Sequence, residues 1–337
     1  MNRVMAPEPN PTFDPEPFVP RRPFVGGHLQ TIAGNFIPRQ SLLPTAEERL
    51  FEVEPGMRLL CHCHWQAKRE PAVTLVVVHG LEGSVESQYM IGMGSKAWAE
   101  GMNVVRMNMR NCGGTENLGP TLYNSSMSAD VGVVTKKLIA DEGLQAIVLV
   151  GYSMGGNLVL KMLGEWGGDT PPQVKAGVGV SPAMDLAASA DALHDLANRI
   201  YELKFLQSLR KRVRRKARLY PNLYEVKYLR GLRSLREFDD QITARYCGFA
   251  NAQDYYTRAA SANVLDRIAV PTLVLHAEDD PFIRILPETR QKLLNNPSIT
   301  FIETASGGHC AFLAEPNGYD GRWAERQTMK FIETQRL

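Results

Sequence analysis

The chain has 337 residues, 44% of them apolar and 22% charged, with a formal net charge of +2 at pH 7; this is the balance of an ordinary globular protein, and no nucleic-acid partner is expected from so small a charge. The five cysteines, Cys61, Cys63, Cys112, Cys247 and Cys310, are odd in number and scattered, which argues against a disulfide framework and for a reducing compartment. The N-terminus lacks the basic start and apolar run of a secretory signal, and the longest strongly apolar stretch, 72–78, falls far short of a bilayer span of roughly 20 residues, so a soluble, cytoplasmic protein is expected.

Nine of the 21 prolines fall within residues 1–44. Proline lacks an N–H donor, so this segment is expected to form an extended arm, neither helix nor central strand, with its first 20 or so residues mobile. Residues 24–37 are apolar enough to pack on the body. Two antiparallel strands follow at 49–53 and 57–65, joined by a Pro-Gly turn. Short apolar runs then recur at 74–78, 103–107, 146–150, 176–180, 272–275 and 299–302, mostly with helix-length segments between them. Runs that are apolar at every position indicate a mostly parallel sheet covered on both faces, an α/β fold. The division expected is an arm at 1–44, a core at 45–181 and 269–337, and between them a helical cap at 182–268, inserted after the sixth strand.

The run at 146–150 leads into Gly151-Tyr152-Ser153-Met154-Gly155-Gly156 and then a helical pattern. Gly-x-Ser-x-Gly between strand and helix is the geometry of an exposed nucleophile on a tight turn, where small neighbours avoid the sheet and the helix start. A serine at its centre implies acyl transfer through an acyl-enzyme, where an aspartate would suggest dehalogenase or epoxide chemistry. Upstream, the strand at 74–78 runs into His79-Gly80-Leu81-Glu82-Gly83. The loop after this strand contributes one N–H to an oxyanion hole, so the expected donors are the backbone N–H groups of Leu81 and Met154, with His79 shaping the loop.

In chain order the acid and then the base should follow the nucleophile. Three histidines lie downstream: His194 in the expected cap, His276 ending a strand ahead of the acid, and His309 in a glycine-rich loop before the final helix. His309 is the expected base. The acid lies among Glu278, Asp279 and Asp280; Asp280 is preferred, with Asp279 as runner-up.

Several stretches together resemble the YheT-like α/β-hydrolases, a branch that includes mammalian medium-chain phospholipase and lipid-hydrolase homologues. They are Gly26-Gly-His-Leu-Gln-Thr-Ile32, His79-Gly-Leu-Glu-Gly-Ser84, Arg110-Asn-Cys-Gly-Gly114, the Ser153 motif, Asp279-Asp-Pro-Phe282 and Gly307-Gly-His309, covering the chain from about residue 18. The Gly-Gly-His-Leu-Gln-Thr element is absent from generic α/β-hydrolases. The resemblance implies a cofactor-free esterase of short- to medium-chain acyl esters with a Ser-Asp-His triad, whose spacing favours Asp280.

The expected cap departs from that pattern: residues 204–236 hold 12 Lys or Arg and one acid, Glu225, with Leu203, Leu206, Leu209 and Val213 at helical spacing. A solvated helix packed by its apolar side is the plainer interpretation; peripheral contact with an anionic membrane through this basic cap is the sharper one. Cys61-His62-Cys63-His64 would place its cysteines and histidines on opposite faces of a strand, so no metal site is expected there. Asp130 fits a first-turn helix charge, and Cys112 has no base beside it. Acyltransfer or phospholipid hydrolysis, and a non-catalytic scaffold, stand as alternatives to ester hydrolysis; oligomeric state is not legible.

Overall fold

Residues 13–335 are described by a computed structural model of the chain. Every apolar run forms a strand: β1 (Glu47–Glu54), β2 (Met57–His64), β3 (Thr74–Val78), β4 (Asn103–Met107), β5 (Ile147–Tyr152), β6 (Val174–Val180), β7 (Thr272–Ala277) and β8 (Ile299–Thr304). They make one eight-stranded sheet in the order β1-β2-β4-β3-β5-β6-β7-β8. The β1–β2 and β2–β4 pairs are antiparallel and the others parallel.

Burial on both faces explains why the central strands are mostly apolar, although polar groups such as Asn103 and Arg106 of β4 are buried there too. Val76, Val78, Val105 and Leu149 bury against one layer, while Leu75, Val77, Val104, Val148 and Val150 bury against the other. Flanking helices include α1 (Gly27–Phe36), α2 (Gln88–Ala99), α3 (Ser128–Glu142) and α4 (Met154–Trp166), and the last helix is Trp323–Thr334. Strand order reverses at β3, which lies between β4 and β5, so a crevice opens at the carboxyl ends of β3 and β5. Val78 pairs with Gly151, and the loops leaving these two strands therefore emerge side by side.

Between β6 and β7 the chain forms no strand. It makes α5 (Leu186–His194), α6 (Arg199–Leu219) and shorter helical pieces, among them Leu235–Phe238, a π-helical turn Asp239–Ala244, and Ala252–Ala259. The basic run of α6 divides in two. Lys204, Lys211, Arg214 and Arg218 are exposed. Arg212 and Lys216 are buried instead, tying α6 to the core: Arg212 bonds to Glu82 and to the Asn111 carbonyl, and Lys216 to the Glu116 and Gly119 carbonyls.

The arm differs from expectation in two ways. Residues 24–37 lie between prolines at 23 and 38, and with no proline inside them they form the helix α1. The expected mobility of the first 20 or so residues falls partly on residues 1–12, outside the described residues. From Phe13 onward the arm is docked. Phe13 packs edge-on against Phe331, Phe18 against Phe312 and Trp323, and Glu16 is ion-paired to Arg326 and Lys330. Aromatic anchors and a salt bridge thus hold a segment whose prolines deny it a ladder. Asp130 lies in the first turn of α3 as expected, and it is also a buried ion-pair partner of Arg110, gripping the guanidinium with both oxygens at 2.6 Å.

Candidate active site

Ser153 sits between β5 and α4 with φ 54° and ψ −118°, a left-handed conformation that a non-glycine residue holds only under constraint. The glycines on either side show the constraint. A Cβ on Gly151 would lie 2.2 Å from the Gly155 carbonyl oxygen, and one on Gly155 would lie 2.4 Å from the Val78 and His79 oxygens. The strand, the turn and the helix start are in backbone contact, which leaves the serine side chain projecting from the bend.

The loop after β3 lies against this turn. Gly80 N–H donates to the Tyr89 hydroxyl at 2.9 Å and Glu82 N–H to the Tyr123 hydroxyl at 3.0 Å. The Leu81 N–H stands between these two engaged groups. Met154 opens α4, so its N–H belongs to the first helical turn, where no intrahelical acceptor exists. His79 braces the loop. Its Nε2 accepts the Met109 N–H at 3.1 Å, which leaves Nδ1 to donate to the Gly80 carbonyl at 2.8 Å. Burial lowers its pKa to about 4, so it stays neutral.

His309 Nδ1 lies 2.8 Å from Asp280 Oδ2. The other Asp280 oxygen accepts the Phe282 and Ile283 N–H groups at 3.1 and 2.9 Å. Burial disfavours the Asp280 charge, but His309 and the Ile283 N–H outweigh it and hold the carboxyl below its usual range. Burial likewise disfavours a charged His309, and the neighbouring Cys310 and Asp280 outweigh it, raising this histidine well above the usual imidazole range. Asp279 takes a different part: its Oδ1 accepts the Gly308 N–H at 2.8 Å, so it shapes the histidine loop and does not touch the ring. Glu278 stays away from the imidazole, His276 is buried at the end of β7, and His194 pairs with Glu202 in the insertion.

Helix α1 clamps that loop. Thr31 Oγ1 accepts the His309 N–H at 2.8 Å. Gln30 accepts the Leu313 N–H at 2.7 Å and donates to the Leu313 and Phe24 carbonyls. A Cβ on Gly27 would overlap the Asp279 carbonyl oxygen at 1.7 Å, so only glycine permits the approach. The Gly-Gly-His-Leu-Gln-Thr stretch was visible in the sequence as a motif, but its task was not. Cys310 carried no sequence signal at all; its thiol lies 3.7 Å from His309 Nε2.

Ser153 stands at the junction of two cavities. The outer one, about 440 Å3, is also lined by His309, Cys310 and Leu81 and reaches Phe36 of α1 and Ile200 of α6. The inner one, about 100 Å3, is lined largely by the insertion, through Leu193, Leu209, Leu235, Phe238 and Tyr255, together with Met154. Cys112 is fully buried, with its thiol pushed up to about 12 by burial, and cannot serve as a second nucleophile at neutral pH. On β2, Cys61 and Cys63 bury in one layer while His64 meets Arg106 on the opposite face.

The family model for the alpha/beta hydrolase fold matches residues 73–316. The YheT protein of Escherichia coli (strain K12), whose name provisionally calls it an esterase, is 32% identical over 99% of this chain and 98% of its own length. The monoacylglycerol lipase of Saccharomyces cerevisiae is 26% identical over 77% of this chain and 58% of its own. Among solved structures, the Pyrococcus furiosus esterase Pf2001 superposes with a TM-score of 0.58 at 15% identity, covering 87% of this chain and 91% of that one; at such identity the likeness speaks for the fold alone.

Proposed function

The chain belongs to the alpha/beta hydrolase fold family, in the branch of YheT, and from that membership we propose that it cleaves carboxylic esters of short- to medium-chain acyl groups through an acyl-enzyme on Ser153. The observation that carries this reading is the Asp280–His309 pair, 2.8 Å apart, set over a cavity that Ser153 also lines.

Ser153 Oγ attacks the ester carbonyl while His309 Nε2 takes its proton. Asp280 keeps the imidazole in the tautomer with its proton on Nδ1 and stabilises the imidazolium that forms. The Leu81 and Met154 N–H groups receive the oxyanion, and each such donor is worth about 3 kcal/mol of barrier. His309 then protonates the departing alcohol, the Ser153 ester is attacked by water activated at the same nitrogen, and the acid leaves. In the free enzyme Nε2 faces the Cys310 thiol and is not hydrogen-bonded to Ser153; that bond forms when substrate fills the outer cavity.

The apolar inner cavity suits the acyl chain and the outer one the alcohol portion. The insertion acts as a cap whose side chains set acyl length. No step calls for a cofactor. Ester cleavage fits a lipid ester as readily as a soluble one, and transfer to an alcohol differs only in what attacks the acyl-enzyme.

The test is hydrolysis of p-nitrophenyl esters of increasing acyl length by the wild type and by Ser153→Ala, with fluorophosphonate labelling in parallel. Cleavage and labelling that both vanish in the variant are expected. Undiminished turnover in Ser153→Ala would refute the mechanism, and wild-type protein that neither labels nor cleaves would favour a binding scaffold.

A further inference from the structure

The two helices that flank the outer cavity leave large apolar side chains in solvent. On α1 these are Leu29, Ile32 and Phe36; at and just before the start of α6 they are Leu196, Ile200 and Leu203, and all six are between 44% and 93% exposed. Spacings of three and four residues put Leu29, Ile32 and Phe36 along one side of α1 and Ile200 and Leu203 along one side of α6, with Leu196 in the short turn just before α6. The two sets belong to one rim. Ile32, Phe36 and Ile200 line the same cavity, His28 of α1 stacks on Tyr201 of α6 at 5.7 Å, and the Lys204 ammonium lies 5.9 Å from the Phe36 ring. Scattered single apolar residues on a surface need no explanation, but a cluster around one opening does.

Charge on the two segments that carry the rim has one predominant sign. Residues 17–46 contain no Asp or Glu but do contain Arg21 and Arg22. Along α6 the exposed side changes from apolar to basic, from Leu203 to Lys204, Lys211, Arg214 and Arg218. The acids within 195–218 are Asp195, beside Leu196, and Glu202, which is buried and paired with Arg199 and His194. Apolar side chains bordered by Lys and Arg are what a helix needs to lie in the headgroup layer of an anionic bilayer.

We propose that the rim formed by α1 and the start of α6 docks on an anionic lipid surface, with the outer cavity opening onto the headgroups. The proposal rests on the ester-hydrolase reading and narrows its substrate class to esters presented by a membrane or a lipid aggregate. The docking face is the apolar rim, and the exposed half of the basic run assists from its edge. Buried Arg212 and Lys216 take no part.

Full-length protein is sedimented with vesicles of phosphatidylcholine alone or mixed with phosphatidylglycerol, at low and high salt. The variant carries Leu29→Ser, Leu196→Ser and Leu203→Ser, three exposed positions outside both cavities. Wild type should partition onto the anionic vesicles and less onto neutral ones, and salt should weaken binding. The variant should lose about tenfold in partition and cleave soluble p-nitrophenyl butyrate at the wild-type rate. Equal partition of wild type and variant, or equal binding to neutral and anionic vesicles, overturns the proposal. So does a wild-type dimer in size-exclusion chromatography that the variant dissolves, because the rim would then be an interface between copies. Wild-type protein that binds vesicles but neither labels with a fluorophosphonate nor cleaves soluble or vesicle-borne esters defeats the hydrolase reading, while the docking result is read from sedimentation alone.

Discussion

Helix α1 and helix α6 each hold one half of the site, by different physical means. Helix α1 meets the histidine loop with neutral hydrogen bonds from Thr31 and Gln30 and with a glycine pressed against Asp279. Helix α6 meets the loop after β3 with a buried charge, the Arg212 guanidinium 2.8 Å from Glu82, whose carboxylate also accepts the Tyr123 hydroxyl. Neutral contacts of small groups set position closely and tolerate little change in shape. A buried ion pair tolerates some movement, but removal of one partner leaves the other charged and dry. The comparison therefore separates turnover, governed by α1, from integrity, governed by α6.

The largest expected effect is the one both helices share. Ser153→Ala should lower ester turnover by roughly a thousandfold or more, measured with p-nitrophenyl esters, because nucleophile and base act as a unit. Next comes Arg212→Met, which strands Glu82: a loss of about 3–5 kcal/mol of stability is expected, read as a lowered denaturant midpoint. If that variant keeps its stability but loses kcat, the division between the two helices is wrong.

Thr31→Val should lower kcat about tenfold at nearly constant KM, by removing a bond of about 1 kcal/mol that fixes the histidine loop, with rescue by Thr31→Ser. An unchanged kcat would show that α1 only packs. Smaller still is a shift in pH dependence. His309 must lose its proton before it can act as a base, and Cys310 and Asp280 raise it above the usual range against the effect of burial. The acid limb of kcat/KM is therefore expected above pH 6.5, and Cys310→Ala should move it down; a limb that stays in place removes Cys310 from the balance. The smallest effect concerns the arm. Hydrogen bonds from Arg326 and Lys330 lower Glu16 to about 2 from an ordinary 4.5. Its contribution is then complete above the ordinary value and lost as pH falls toward the lowered one. Glu16→Ala should remove it at every pH, seen as faster proteolysis near Phe13 with little change in activity.

Some of this was legible from local pattern. The central strands were, because burial on both sheet faces leaves few polar residues in them, and β1 and β2 were through their alternation around a Pro-Gly turn. Ser153 was visible through the glycines its turn demands, and His309 through its position in chain order. Other features were opaque for definite reasons. The basic run reads as uniformly solvated, since nothing local distinguishes Arg212 and Lys216, which turn inward, from Lys211 and Arg214, which do not. The prolines concealed α1, whose residues 27–36 contain none.

Local chemistry by itself determined the sheet, the bend that presents Ser153 and the chain order in which Asp280 and His309 follow it. These depend on periodicity and on steric limits that act between near neighbours in the chain. Only the tertiary structure decided that Asp280 meets the imidazole and Asp279 the loop, that Gln30 and Thr31 reach residues 283 and 278 positions away, and that a thiol lies beside His309 Nε2. Such contacts form where distant segments pack together, and hydrogen bonding between groups far apart in the chain leaves no period in the residues that supply it.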